Sequence, residues 1–284
     1  MANHRLLLIV LCVLILVPFK NPGTEITFID VGQGDGIYLN SGEDILIDSG
    51  SSSSRHIGQY TVEPFLLSKG ITELDKVFVT HADNDHTSGI VYLAENGRVC
   101  IRQLFLPYCA INNKKYDKLR KICRNITYLK AGDEVKLNVG SISVLGPVDG
   151  TVSDTSDTNE HSLILLYKHG QFSALFMGDA PVASEQAMLD RISPDADILP
   201  YDLTILKAGH HGSSTSTCPE LLTTVSPRLA ILSYGKENRY GHPHRETLEK
   251  LSEYGIPHLD TAESGAISVY TDGHYAQIKE YLTR

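Results

Sequence analysis

The sequence has no tryptophan, only five cysteines and three methionines, and aromatic residues fill 7% of its 284 positions. No two cysteines form a C-x-x-C pair, which excludes a zinc ribbon. Cys12 falls in an apolar stretch; Cys100, Cys109, Cys123 and Cys218 are an even set that fits either disulfides outside the cytoplasm or free thiols. Positive charge is also in short supply. Lys and Arg number 25 against 34 Asp and Glu, a net charge of −9 that excludes a general phosphate-neutralising surface. Any nucleic acid must therefore be held locally. Long apolar runs are scarce, and the clear case is Leu6–Val17, which follows Arg5 and is closed by Pro18 and Lys20. It is shorter than the roughly 20 residues of a relaxed membrane span and has the outline of an export signal. With no small-x-small cleavage site after it, both a cleaved signal peptide over residues 1–22 and an uncleaved anchor tethering residues 6–19 in a membrane stay open. A buried core helix is the alternative, disfavoured because the run has no polar stripe; the first two place residues 23–284 outside the cytoplasm, secreted or membrane-anchored.

What is present is a 42% hydrophobic chain, long enough for a substantial core. Short β-branched or aromatic runs predict strands at Ile26–Val31, Gly36–Leu39, Ile45–Ile47 and Lys76–Thr80, with helical patterning at Gly58–Ser68, Ser88–Ala94 and Tyr116–Arg124. Further strands are predicted at Ile126–Leu129, Glu134–Leu137, Ser141–Leu145, Ser162–Tyr167 and Ser173–Phe176. The second half then repeats the order of the first: helix Pro181–Arg191, strand Leu203–Leu206, helix Pro219–Thr224, strand Ala230–Ser233, helix Arg245–Tyr254, and strands near Ile267–Tyr270 and Tyr275–Lys279. Two such runs suggest a layered α/β protein, two sheets face to face with helices outside. Gly50–Ser54 and Val148–Asn159 are the strongest loop signals.

The chemistry concentrates in His81-Ala82-Asp83-Asn84-Asp85-His86, two imidazoles and two carboxylates in six residues just after a strand. A turn alone does not need four potential ligands, so the segment is expected to bind divalent metal. Asp179 ends the apolar run Phe176-Met177-Gly178; Gly-Asp alone is a turn dipeptide, but a carboxylate leaving a strand end can also bridge two cations. His210-His211-Gly212-Ser213 puts an imidazole pair beyond another strand. Successive side chains diverge along an extended chain, so one of the pair is expected to be a ligand and the other to support it or contact phosphate. Gly241-His242-Pro243-His244 stands at the mouth of a predicted helix, where exposed amides favour an anion; ordinary surface histidines are the alternative.

Asp30-Val31-Gly32-Gln33-Gly34-Asp35, Leu46-Ile47-Asp48-Ser49-Gly50, the 81–86 cluster, Phe176-Met177-Gly178-Asp179 and His210-His211-Gly212-Ser213 together resemble, in this order, the metallo-β-lactamase-fold proteins. More narrowly they are similar to the hydrolase domain of the ComEC competence DNA-uptake proteins and its free-standing relatives, from about Glu25 onward. The resemblance implies a single-domain four-layer αββα sandwich with the site at one edge between the sheets. It implies that His81 and Asp83 serve a first divalent ion, Asp85 and His86 a second, that Asp179 bridges them, that one of His210 and His211 completes the second site, and that Asp48 supports the cluster from behind. Asp85, His211 and His244 are the candidate catalytic residues; Asp30, Gln33, Asp35, Asn159, Ser162, Ser213, His242 and His244 are candidates to steady ligands or hold phosphate. Two features depart from the superfamily pattern. Asp83 stands where His is common, which shifts preference from Zn²⁺ toward Mn²⁺. The loop that commonly carries a further ligand reads Asn159-Glu160-His161-Ser162; it matches the Asn-x-x-Ser pattern of ComEC-like chains, and His161 either restores the missing ligand or is a loop residue.

The implied function is a hydrolase using two divalent ions, Zn²⁺ or Mn²⁺, and no organic cofactor. Its implied substrate is a phosphodiester, with single-stranded DNA outside the cytoplasm as the leading case. One alternative is a hydrolase of another small ester, lactone or β-lactam, which the acidic surface mildly favours. Another is a non-catalytic module binding DNA or a partner in an uptake system, an idea kept open by Asp83.

Overall fold

A computed structural model of the chain describes residues 23–148, 157–192 and 198–282. The signal or anchor segment 1–22 with Cys12, and most of the Val148–Asn159 loop, lie outside the described residues.

Two mixed sheets form the centre. The first has eight strands in the spatial order β17 (Ala276–Glu280), β16 (Ile267–Thr271), β1 (Thr24–Phe28), β2 (Gly36–Asn40), β3 (Asp44–Ser49), β5 (Lys76–Phe78), β7 (Leu104–Pro107) and β8 (Ile126–Leu129). The second has seven: β15 (His258–Asp260), β14 (Leu229–Leu232), β13 (Ile205–Lys207), β12 (Phe172–Phe176), β11 (Ile164–His169), β10 (Ser141–Gly146) and β9 (Glu134–Lys136). A short parallel pair, β4 (Glu73–Leu74) and β6 (Cys100–Ile101), stands apart. Each large sheet is antiparallel on one side and parallel on the other, with β3–β5–β7–β8 and β12–β13–β14–β15 running parallel.

Strand alternation builds three cores. Ile45 and Ile47 point between the sheets with Phe28, Phe78, Leu165 and Phe176, while Leu46 points the other way. There it meets helices α1 (Glu63–Ser68), α2 (Asn84–Asn96) and α3 (Asp117–Ile122) through Leu66, Ile90 and Leu119. On the second sheet Leu175, Leu206 and Leu232 pack on α4 (Val182–Arg191), α5 (Pro219–Val225) and α6 (Arg245–Glu253) through Met188, Leu221 and Leu251. The result is the four-layer αββα arrangement. Each buried side chain of this size contributes about 1.5–3 kcal/mol, which is why the apolar alternation dictates both register and layer.

Several boundaries differ from the sequence expectation. Helix α2 begins at Asn84, inside the ligand motif, rather than at Ser88. Strand β7 was not predicted, because four residues ending in Pro107 make a weak strand signal; the proline is tolerated at the strand's end. The four described cysteines are free thiols.

Candidate metal centre

The site is built where strand ends of both sheets meet. Thr80 and His81 follow β5, Asp83 is the N-cap of α2, and Asp85 and His86 project from its first turn. This turn is pinned from below. A Cβ on Gly50 would lie 2.5 Å from the backbone of Asn84, Asp85 and His86, so only glycine lets the Asp48-Ser49-Gly50 loop pass beneath it. From the other sheet, Asp179 leaves β12 after Gly178, whose φ of 53° and approach to Thr80 leave no room for a side chain. His210 and His211 follow β13.

The hydrogen bonds aim each ring. His86 Nδ1 lies 2.8 Å from Asp48 Oδ2, which turns Nε2 to within 3.2 Å of Asp179 Oδ1. His211 Nδ1 donates to the Ser233 carbonyl at 2.9 Å, leaving Nε2 3.4 Å from Asp179 Oδ2 and 3.9 Å from Asp85 Oδ2. Thr80 gives its hydroxyl proton to Asp48, so its oxygen accepts from His81 Nδ1 at 3.1 Å. His81 Nε2 then lies 4.0 Å from both Asp83 Oδ2 and Asp179 Oδ2. Carboxylates and carbonyls behind histidines, fixing which nitrogen faces inward, are how metal-binding imidazoles are held.

Among the described residues the inward atoms, Nε2 of His81, His86 and His211 and Oδ1 of Asp179, are all buried without a hydrogen-bond partner. Imidazole lone pairs facing a carboxylate repel unless positive charge lies among them. Burial opposes charge on His86, yet the Asp179 and Asp48 carboxylates outweigh it and hold the pKa well above the usual histidine value. His211 behaves alike, its burial outweighed by Asp179 and Asp35, and rises to about 9. His81, buried and beside His86, falls to about 4. Burial would raise Asp179, but His211 and His86 carry it well below the ordinary carboxylate range. Protons can meet this demand for positive charge; a divalent cation on the same atoms meets it by displacing them.

Asp35, His86, Asp179 and His211 each bring one nitrogen or oxygen into a group within 4.8 Å of one another, a potential metal site. Asp35 approaches from the rear, however. Its oxygens lie 3.9 Å from His86 Nδ1 and 3.4 Å from His211 Nδ1, the ring nitrogens already engaged elsewhere, and it is ion-paired with the fully buried Lys207. Burial opposes the charge on Asp35, and Lys207, then His211, pull its pKa far down. On this geometry Asp85, on the Nε2 side, is the better placed carboxylate toward an ion.

The other sequence candidates divide. Gln33 is buried; it accepts from the Gly235 amide at 3.2 Å and its Nε2 lies 3.3 Å from His242 Nδ1. The His242 ring stands 5.5 Å from that of His210. The expectation that only one of His210 and His211 could face the cluster assumed an extended chain. Both residues take left-handed conformations, φ 47° and 56°, and His210 Nε2 also reaches to 3.7 Å from Asp179. Ser162 accepts from the Asp179 amide and lies 3.5 Å from His81 Nδ1. Its neighbour His161 is buried in the turn Asn159–His161, where burial lowers its pKa and its charged neighbours are Glu160, Lys115 and Asp157 rather than the cluster. The Asn159 backbone amide donates to Asp157 Oδ1, and Ser213 shares a hydrogen bond with Thr215. Asp30 is exposed and shapes the Gly32 turn. Both nitrogens of His244 are engaged locally, Nδ1 with Ser214 and Nε2 with the Tyr240 carbonyl.

Sequence reasoning missed Lys207, Thr80, Ser233 and Thr158, whose hydroxyl donates to Asp83. Lys207 had a signal, a lone charge inside the apolar strand Ile205–Lys207, which burial obliges to find a partner.

Residues 29–236 match the Metallo-beta-lactamase superfamily. The chain belongs to that superfamily. It is similar to ComE operon protein 3 of Bacillus subtilis (strain 168), 31% identical over 277 residues, covering 91% of this chain and 34% of that protein. It is similar also to Recombination protein 2 of Haemophilus influenzae, at 31% over 92% of this chain and 31% of that one, and to Competence protein ComA of Neisseria gonorrhoeae, at 25% over 85% and 31%. The chain thus spans about a third of the length of these relatives. Among solved structures, the metallo-beta-lactamase fold protein YhfI from Bacillus subtilis aligns with TM-score 0.53 at 12% identity, covering 84% of this chain and 95% of that one. CmlA, a diiron beta-hydroxylase from Streptomyces venezuelae, aligns with TM-score 0.53 at 12% identity, covering 84% and 52%. Both show the superfamily's fold and no more.

Proposed function

We propose that the chain is a metal-dependent hydrolase that cleaves phosphodiester bonds of nucleic acid, single-stranded DNA above all, outside the cytoplasm. The observation that carries this reading is the set of buried, partnerless inward atoms on His81, His86, His211 and Asp179. Asp85, His86, Asp179 and His211 would hold one divalent ion, and His81, Asp83 and Asp179 a second, Zn²⁺ or Mn²⁺ with the oxygen-rich set favouring Mn²⁺. Paired ions of this kind acidify water toward neutrality and neutralise phosphate charge when bound.

The remaining chemistry belongs to the chain. Because the Gly235 amide claims Gln33 Oε1, the Gln33 amide nitrogen faces His242 Nδ1, and His242 carries its proton on Nε2. Burial and the neighbouring His211 lower its pKa to about 4, so it stays neutral and acts as a hydrogen-bond donor to phosphate or leaving oxygen. His244, clipped at both nitrogens, holds the loop that presents it. The phosphodiester choice is supported by the relatives' names, which speak of competence and recombination. The extracytoplasmic placement is supported by the Arg5-flanked apolar run Leu6–Val17.

Metal content and turnover on one preparation test the reading, using bis(p-nitrophenyl) phosphate, single-stranded DNA and a chromogenic β-lactam, each with Mn²⁺ or Zn²⁺. Bound metal and phosphodiester cleavage that disappears in His86→Ala are expected. Cleavage of the β-lactam alone would replace the substrate assignment, and a metal-free, inert protein would leave a binding module instead.

A further inference from the structure

The chain is acidic overall, yet seven of its 25 Lys and Arg residues fall within residues 114–130, against one acidic residue, Asp117. That segment contains α3 and β8 and is not spread at random over the surface. In the parallel half of the first sheet, β5 pairs β7 at Phe78↔Phe105 and β7 pairs β8 at Pro107↔Leu129. The residues just past these strand ends, His81, Tyr108 and Lys130, therefore emerge on one edge, with strands about 4.8 Å apart. Helix α3 packs on α2, whose first turn carries Asp85 and His86, and Lys118 pairs with Glu95 at the far end of α2. Tyr116, buried between them, feels the carboxylates of Asp83 and Asp48.

Most of these cations face solvent. Lys114, Lys118, Lys121, Arg124 and Lys130 are exposed, whereas Arg120 is consumed in holding its own loop through the Ala110 and Asn113 carbonyls. Lys114, Lys121 and Arg124 have no ion-pair partner among the described residues. Tyr108, 54% exposed, lies at the same edge with the Lys130 ammonium 5.9 Å from its ring centroid. Lys130 beside the Tyr108 ring, with solvated cations continuing along α3 toward the start of β8, supplies charge for the phosphates and a π-face for a base, the pairing that grips a flexible nucleic-acid strand.

We propose that Lys114, Lys118, Lys121, Arg124 and Lys130, with Tyr108, form a strand-binding lip that leads single-stranded nucleic acid to the metal edge. This rests on the phosphodiesterase reading for its substrate class, and deepens it by naming the surface that overcomes the chain's negative charge. Bound backbone would run along α3 and pass Tyr108 before reaching His81.

The test measures binding of a cleavage-resistant, fluorescein-labelled 20-nucleotide phosphorothioate oligonucleotide to the protein as purified, by anisotropy between 50 and 200 mM salt. Wild type is compared with Lys114→Gln/Lys118→Gln/Lys121→Gln/Arg124→Gln and, separately, with Tyr108→Ala. Losing four phosphate contacts should lower the slope of log K against log salt by about 3. The fourfold variant should then lose tenfold or more in affinity at low salt while hydrolysing bis(p-nitrophenyl) phosphate like wild type, and Tyr108→Ala should weaken binding with its salt slope unchanged. Equal affinity and slope in wild type and the fourfold variant, or no oligonucleotide binding by wild type, would overturn the lip. So would loss of binding to phosphatidylserine vesicles with the oligonucleotide unaffected. Lost oligonucleotide binding in a protein inert toward the small ester would keep the lip and sink the enzyme reading.

Discussion

The two halves of the molecule are built alike and contribute differently to the site. Each runs from an antiparallel meander into parallel strands with helices outside, and each delivers its functional side chains from the ends of the parallel strands. The first half spends six consecutive residues, His81 to His86, and holds them with Asp48 from the neighbouring strand end and with Thr80 just before them. The second half offers Asp179, His210 with His211, and His242 on three separate turns. A helix start can present several ligands at once because its side chains fan out from a fixed backbone. Strand ends cannot, so the second half resorts to the left-handed His210 and His211, at roughly 1–3 kcal/mol each in strain, where the first half needs one such residue, Asp48, behind its cluster. The difference teaches that the first half is a preformed claw and the second a set of positions that depends on the sheets being packed together.

The largest test of that contrast removes ligands from either side. His86→Ala and Asp179→Ala are both expected to abolish turnover and lower metal stoichiometry measured by atomic emission; if Asp179→Ala keeps full metal and rate, the second half is dispensable and the comparison breaks. Next comes Lys207→Met, which leaves the Asp35 carboxylate buried without its cation. It should cost about 3–5 kcal/mol in denaturant unfolding, whereas Asp35→Leu with Lys207→Met should recover most of that loss. Asp48→Asn probes the claw's backing: metal affinity should fall by about 10- to 100-fold with the fold intact, read by competition with a chelating dye. Gly178→Ala, forced to a left-handed φ against Thr80, should destabilise by more than about 1 kcal/mol. The smallest effect is expected for His244→Ala, about 1 kcal/mol of stability with metal content unchanged, because its ring fastens Ser214 to Tyr240 and faces no partnerless atom.

The same asymmetry governed what could be read in advance. The layer order was legible because apolar alternation at Ile45-Leu46-Ile47 and Leu165-Leu166 assigns faces by period two. The 81–86 cluster was legible because its residues are neighbours in the chain. The partners that aim the rings were not: the Ser233 carbonyl behind His211 is backbone, and Thr80 is an unremarkable residue until Asp48 is known to lie beside it. His161 was a fair candidate by composition; in its three-residue turn its charged neighbours are Glu160, Lys115 and Asp157, while the next residue, Ser162, accepts from the Asp179 amide. For the His210-His211 pair the expected divergence was argued from an extended backbone, where the structure has two positive φ values. Lys207 lay in plain view, and its charge inside a strand was the clue.

Because His86 rides on a helix of one sheet and His211 on a strand end of the other, a cation gripped by both would act as a rivet through the sandwich. Chelation would then do to this fold what reduction does to a cross-linked one, opening the joint between the layers as well as silencing the chemistry.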